Sequence, residues 1–421
     1  MSGFVVERWE SSFLRQGRGW ILVYGRRKVG KTFLLRSFLS WNLYVLVSRG
    51  GLCFVNGGLV EVGEAIERVV EVLRDGGLVV IDEFQRLPEH FLDRLSHVHP
   101  SGRLILSGSS LNVVDRVLDR RSPMLGLLMP FKLDLISPAD IIISLIDFGL
   151  DFRSAVLWGV LIRDPWLIPF INLSSPPWVE ISRLALMLTA SVSGLIGEVF
   201  LEEERQLTRL YDAVLRLLAD GYWSSKIITA KLYDMSLISA PNPGIVTGIL
   251  SKLENMGLVE KIPLWRSRGA RFYYHHRSTL TSTLLWMDER FEFEDYPPNR
   301  VEDALRSHLA LEIQFFIGEL LAKSRGLKRA YTVLPRSLGD VDIVLLDRKG
   351  RAIEGFEVKT GSINRSEIQN SIDKIRDLGI PRVGVISLTE KPPEIQGVDE
   401  SLGPSELLKA VRTLRKIEWS R

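Results

Sequence analysis

Trp20-Ile21-Leu22-Val23-Tyr24-Gly25-Arg26-Arg27-Lys28-Val29-Gly30-Lys31-Thr32 decides the fold of the N-terminal part of the chain. An apolar strand runs into a Gly-x-x-x-x-Gly-Lys-Thr loop and out into the helical run Phe33 to Leu39. Strand before and helix after is the setting of a phosphate-binding loop. Gly25 and Gly30 let the backbone curl, so the N–H groups of Arg26, Arg27, Lys28, Val29 and Gly30 turn toward phosphate oxygens at the positive end of the helix. Lys31 is expected to reach the β and γ phosphates, and Thr32 to offer its hydroxyl to Mg²⁺. ATP or ADP with Mg²⁺ is the ligand this pattern fits.

Downstream, apolar strands alternate with amphipathic helices: Leu43 to Val47, Leu52 to Val55, a helix through Ala65 to Leu73, then Gly77 to Ile81. That rhythm predicts a parallel sheet with crossover helices. The strand at Gly77 is continuously apolar, as a central parallel strand is, and it ends in Asp82-Glu83. Side chains at the carboxyl end of such a strand face the ligand crevice. Asp82 is the candidate metal residue and Glu83 the candidate base that polarises the attacking water. The next strand, Arg103 to Leu106, ends in Ser107-Gly108-Ser109-Ser110, and Ser107 and Ser109 are placed to sense the γ phosphate.

A chain of 421 residues is too long for one core and suggests about three domains. Its formal charge of +3 gives no global basic field, so any nucleic-acid site must be a local patch. The single cysteine, Cys53, excludes a disulfide framework and fits a reducing cytoplasm. It lies in the apolar run Leu52 to Val55 and is expected to be buried rather than nucleophilic. The start of the chain, with Glu7 and Glu10, lacks the pattern of a signal peptide. The uncharged run from Leu184 to Gly197 is shorter than the roughly 18 residues a membrane span needs. A cytoplasmic protein without a membrane partner is the expectation.

Gly-Arg-Arg-x-x-Gly-Lys-Thr at Gly25, Ile81-Asp82-Glu83-Phe84-Gln85 and Leu106-Ser107-Gly108-Ser109-Ser110 together resemble the archaeal ATPases allied to the AAA+ and STAND groups. The likeness covers the first two thirds of the chain. It implies ATP binding, a helical lid and a winged helix, used as a regulated switch. Two departures bear on hydrolysis. Such relatives carry Ser-Pro-Leu-Tyr-Gly-Arg after the sensor, whereas Ser122-Pro123-Met124-Leu125-Gly126-Leu127 ends without arginine. Arg116, Arg120 and Arg121 are the candidate replacements. In the lid, Ile162-Arg163-Asp164-Pro165-Trp166 keeps only the proline of a Gly-x-Pro turn.

From Pro138 to Leu201 the chain is apolar and helical in pattern, and its tryptophans are expected to be core. Beyond Glu202, helical patterns at Leu207 to Leu218, Ser224 to Met235 and Gly244 to Met256 precede a strand-turn-strand, an order that resembles a winged helix. Arg266, Arg268 and Arg271 make the wing basic and suit a phosphate backbone. The third helix has Lys252 as its basic residue, which leaves a protein-contact role open beside a DNA-contacting one. His97, His99, His275 and His276 lack metal-ligand partners at suitable spacing, so no zinc is assigned.

Asp295-Tyr296-Pro297-Pro298-Asn299 reads as a linker. Beyond it come a helix from Ala310 to Ala322 with Glu312 and Glu319, a strand from Ala330, then Gly339-Asp340-Val341-Asp342-Ile343 and Gly355-Phe356-Glu357-Val358-Lys359. In a strand Glu357 and Lys359 share a face. Asp342 on a neighbouring strand completes two carboxylates for Mg²⁺ or Mn²⁺ and an ammonium beside a scissile phosphate. Asp342 and Glu357-x-Lys359, with helical Glu319 ahead and Gln369 behind, resemble the PD-(D/E)XK nuclease superfamily. The resemblance implies a DNA nuclease in which Asp342, Glu357 and Lys359 are catalytic and Asp342 and Glu357 hold the metal.

The expected architecture is therefore α/β throughout: a parallel-sheet P-loop ATPase core (1–135), a helical lid (136–201), a winged helix (202–294) and a restriction-endonuclease-like domain (295–421). DNA is the expected partner, beside a protein partner or a second copy. A non-catalytic signalling or scaffold ATPase is the rival expectation. A helicase-like motor is disfavoured, since no further motor motif follows the sensor strand.

Overall fold

The computed structural model describes residues 3–109, 117, 119–185, 187, 188, 191, 194, 208–267, 271–291, 298–332, 341–361 and 364–421. Ser110, Arg116, Glu202, Arg268, Asp340, the greater part of the 184–197 run and Asp295 to Pro297 of the expected linker lie outside the described residues.

The first sheet contains β1 (Ile21–Tyr24), β2 (Leu43–Val47), β3 (Leu52–Val55), β4 (Gly58–Glu61), β5 (Leu78–Asp82), β6 (Arg103–Gly108) and β7 (Met129–Lys132) in the order β4-β3-β2-β5-β6-β1-β7. From β2 to β7 all neighbours are parallel. The fully parallel expectation fails at one edge, where β3 and β4 fold back antiparallel on β2. The reason is length: Ser48 to Gly51 cannot hold the dozen or so residues that a parallel crossover requires. Cys53 is wholly buried in this hairpin.

Helices α1 (Trp9–Gln16) and α2 (Lys31–Phe38) cover one face through Leu14, Leu34 and Leu35; α3 (Val62–Arg74) and α4 (Glu89–Ser96) cover the other through Ile66, Val69 and Leu92. Both faces of the central strands are thus buried, which is why β5 needs no alternation.

In the lid, helices α5 (Pro138–Asp147) and α6 (Phe152–Ile162) are followed by a 3-10 helix (Pro165–Phe170) and by helical residues 177–185. Next come α7 (Thr208–Ala219), α8 (Ser225–Asp234), α9 (Pro243–Asn255), the hairpin β8 (Val259–Pro263) with β9 (Phe272–His276), and α10 (Thr279–Arg290). The helices and hairpin fall where the sequence pattern places a winged helix.

The described part of the turn between β8 and β9 packs on the C-terminal sheet. Trp265 N donates to Tyr331 O at 2.9 Å, and Tyr331 N donates to Pro263 O at 2.9 Å. Trp265 packs into the C-terminal core, and Arg266 lies over the Trp265 ring with its guanidinium carbon 4.8 Å from the centroid. An aromatic residue beside the turn finds more apolar surface against a sheet than in solvent, so Trp265 packs there while Arg266 stays exposed. Arg271 remains exposed.

The C-terminal part opens on α11 (Pro298–Arg325), longer than the expected helix and starting inside the expected linker, because proline at the first helical positions costs nothing there. The second sheet has the order β10-β11-β12-β13-β14, with β10 (Lys328–Ala330), β11 (Ile343–Leu346), β12 (Ala352–Lys359), β13 (Arg382–Ser387) and β14 (Glu400–Leu402). β10, β11 and β12 form an antiparallel meander; α12 (Arg365–Asp377) then crosses over to set β13 parallel to β12. α12 covers one face through Ile368, Ile372 and Ile375. The opposite face, with Phe356, Val358 and Ile386, belongs to a single apolar cluster shared by α11, α13 (Pro404–Trp419), the lid and the winged helix.

Candidate functional site

At the end of β1 the chain turns at Gly25, where an added Cβ would lie 2.0 Å from Leu133 O, so no side chain fits. Gly30 caps α2 with φ +90°, a left-handed conformation that glycine adopts without strain. Lys31 is buried, and its ammonium donates to Gly25 O at 2.7 Å and Arg26 O at 2.9 Å. Burial lowers its pKa to about 8, against the opposing pull of Glu83 and Asp82. A cation with little water around it is ready to pair with phosphate oxygens.

Asp82 ends β5 and is wholly buried. Its Oδ2 accepts from Thr32 Oγ1 at 2.7 Å, so the candidate metal hydroxyl and the candidate metal carboxylate meet across the loop. Glu83 follows with φ +57°, a strained backbone for glutamate, of the kind that gathers at functional sites. Its carboxylate pairs with Arg86 at 2.9 Å and accepts from Gln85 Nε2 at 2.8 Å. The candidate base is thus held by two neighbours. Ser107 lies between β1 and β5, opposite Val23 and Asp82; its hydroxyl is buried without a hydrogen-bond partner. Ser109 accepts from Gln85 at 3.4 Å.

The loop opens on a cleft of about 1290 Å³ lined by Arg27 to Leu34, Arg36 to Phe38, Glu83, Ser109, the N-terminal segment at Phe4 and Val6, and the lid at Pro165, Trp166 and Ile168. That volume holds a nucleoside triphosphate. Its phosphate end is polar and basic; its lid end is apolar, suited to a base. The fit of ATP and Mg²⁺ rests on the glycine cradle, the orphaned Ser107 hydroxyl and the Thr32 to Asp82 pairing, all at one end of this cleft. Arg120 and Arg121 are exposed and are not among the residues that line it.

Contacts far apart in sequence complete the site. Arg8 donates to Val29 O at 2.9 Å and to Asp134 O at 2.7 Å, strapping the N-terminal segment over the loop. Arg26 pairs at 2.5 Å with Asp164, a lid carboxylate with no exposure. The same Asp164 oxygen accepts from Ser278 at 2.5 Å, and Ser278 caps α10. Pro165 lies 3.5 Å from where a Cβ on Gly30 would stand, so the lid proline rests on the loop. A 138-residue separation between Arg26 and Asp164 leaves no trace in the sequence pattern.

In the C-terminal sheet, Glu357 and Lys359 sit toward the end of β12 with an ion pair of 2.9 Å. Asp342 precedes β11, and its Oδ2 accepts from Val358 N at 2.8 Å, which brings the three residues together. Burial lowers the Lys359 pKa, but Glu357, then Asp342 and Glu367, outweigh it and the net shift is upward.

Glu319 does not join them. It lies on α11, on the sheet face opposite Glu357, and binds Arg163 at 2.6 Å, Lys323 at 2.7 Å and Arg277 at 3.1 Å. Gln369 is engaged elsewhere too, with Asp373 and Gln396 O. His275 is buried against Glu312 at 3.0 Å, and His276 against Leu215 O at 2.8 Å. Among the described residues no group of three acidic, histidine or cysteine side chains forms a metal cluster, and no helix is long and apolar enough to cross a membrane.

Comparison with known proteins gives an AAA domain over residues 17–123, the segment from before β1 to beyond β6. An AAA domain implies ATP and Mg²⁺ as ligands. No curated protein matches. Among solved structures, a Walker-type ATPase of Pyrococcus abyssi is 18% identical, with 67% of this chain and 96% of that chain covered at a TM-score of 0.46. The Aeropyrum pernix ORC1 protein, solved in complex with DNA, is 17% identical over 68% of this chain and 94% of its own, at 0.29. A STAND protein with a tetratricopeptide repeat sensor from Pyrococcus horikoshii is 16% identical over 76% of this chain and 53% of its own, also at 0.29.

Proposed function

We propose that the chain is an ATP-dependent switch whose nucleotide state is passed to the winged helix and to a metal-dependent DNA nuclease domain. The observation that carries this is the Arg26–Asp164–Ser278 connection, which ties the phosphate loop to the lid and to the start of α10 through one buried carboxylate. The units are an ATPase core at 1–135, a lid at 136–201, a winged helix at 202–294 and a nuclease-like domain at 295–421. Gly25 to Gly30 cradle the phosphates, Lys31 neutralises their charge, and Ser107 offers its unpartnered hydroxyl toward the γ phosphate. Thr32 and Asp82 hold Mg²⁺, which when bound shields the negative charge of the phosphates. Glu83 takes the proton of the attacking water once it leaves Arg86 and Gln85, and with no arginine at Leu127 turnover is slow.

Removing that base while keeping its shape separates binding from hydrolysis. Glu83→Gln is expected to bind ATP as the wild type does and to turn it over about 100-fold more slowly. A variant hydrolysing ATP at the wild-type rate removes Glu83 from the role.

For the nuclease, the support is the antiparallel meander followed by a helical crossover to a parallel strand, with Asp342, Glu357 and Lys359 gathered on β12 and its neighbour. Two carboxylates suit a hard divalent ion whose remaining ligands are water and phosphate oxygen. Lys359 orients or deprotonates the attacking water. Incubation of the full chain with supercoiled and branched DNA, Mg²⁺ or Mn²⁺, and ATP is expected to give cleavage that Lys359→Ala slows about 100-fold. DNA left intact by the wild type under every condition refutes the nuclease. The wild type then stands as a scaffold ATPase, the outcome that the diversion of Glu319 into the lid ion pairs favours.

A further inference from the structure

Asp82 has a neighbour that the phosphate-loop pattern does not supply. Tyr44 lies on β2 beside β5, opposite Val80 and two residues short of the Asp82 level. Two residues of strand advance about 6.6 Å, the length a tyrosine side chain covers. The Tyr44 hydroxyl therefore reaches the carboxyl end of the sheet and donates to Asp82 Oδ2 at 2.7 Å. That oxygen also accepts from Thr32, and Oδ1 accepts from Glu83 N at 3.1 Å. Both carboxylate oxygens are thereby fixed. Tyr44 is itself only 7% exposed. Its ring is held between Trp41, with centroids 5.4 Å apart, and the Arg36 guanidinium, 5.7 Å from the centroid.

We propose that Tyr44 is a positioning residue for the nucleotide's metal, holding Asp82 Oδ2 in line with the Thr32 hydroxyl before Mg²⁺ arrives. The proposal rests on the reading of the phosphate loop as an ATP–Mg²⁺ site. Without the phenol, Asp82 keeps Thr32 and the Glu83 amide but gains rotational freedom, and each metal-binding event must first order it. Outer partners of this kind set metal affinity more than they set the chemical step.

Tyr44→Phe keeps the ring and removes the donor. In the full chain, the Mg²⁺ concentration that half-saturates ATP turnover is expected to rise about tenfold. Turnover at saturating Mg²⁺ and ATP affinity measured in EDTA are expected to stay within a factor of about two of the wild type. A residue that merely fills space would lower the melting temperature and weaken nucleotide binding equally with and without metal. Either that pattern or an unchanged Mg²⁺ titration overturns the proposal. A wild-type chain that binds no ATP would sink the phosphate-loop reading and this proposal with it, whereas an ATP-binding wild type matched by Tyr44→Phe in its Mg²⁺ response sinks the proposal alone.

Discussion

Lys31→Ala leaves a chain that folds as the wild type does and no longer binds ATP at concentrations that saturate the wild type. The ammonium is buried and bonded to the carbonyls of Gly25 and Arg26, so the loop already carries the desolvation that a phosphate partner would otherwise impose. Charge-assisted bonds to two phosphates are worth about 4 kcal/mol together, close to a thousandfold in Kd. Equal affinity in the two proteins, measured by calorimetry, would remove Lys31 from the site. The pKa of about 8 adds a second signature. Above that pH the lysine must take up a proton before it pairs with phosphate, so wild-type affinity falls as pH rises through 8, up to about tenfold per unit. Lys31→Ala shows no such slope.

Glu319→Ala has the largest expected effect on stability. Its carboxylate lies among Arg163, Arg277 and Lys323, and Arg163 and Glu319 are nearly without exposure. Removing the acid strands buried guanidinium groups, at a cost of about 3 to 5 kcal/mol. A lowered urea midpoint at unchanged slope is the measurement; a midpoint within about 1 kcal/mol of the wild type would show that Asp134 and Glu260, which also pair with Arg277, suffice. The acid branch of the stability curve follows. Burial raises the Glu319 pKa, but the surrounding cations more than reverse this and hold it well below 4.5. Its contribution is present above the unfolded value and is lost as pH falls through the folded one. The wild type weakens on acidification in this range, and the variant weakens less.

Much of the nucleotide site was legible because its parts are consecutive in the chain. Gly25 to Thr32 form one loop, Asp82-Glu83 one strand end and Ser107 another, and strand patterning alone brings these ends to one edge of the sheet. The run of helices and the hairpin after the lid were legible for the same reason, their order being local. Contacts between distant elements were not legible. Arg266 and Arg271 are exposed, as a basic wing requires, whereas the docking of Trp265 onto Tyr331 depends on a sheet edge far along the chain. Glu319 read as the helical member of the nuclease-like motif because it precedes the right strands, yet the face on which α11 packs was not encoded in that order. Arg26 with Asp164 and Tyr44 with Asp82 are pairings across elements, and no spacing rule finds them. Antiparallel β3 was foreseeable, since its connection to β2 is too short to cross over.

The apolar cluster that joins lid, winged helix and C-terminal sheet also limits how the protein can be rearranged over generations. Phe316 and Ile317 of α11 share it with Trp158 and Val160 of α6 and Leu280 and Leu284 of α10. Units with private cores can be lost or exchanged one at a time, as modules are. Here an exchange of the last third alone would leave greasy faces on both halves, whereas the phosphate-loop sheet has cores of its own.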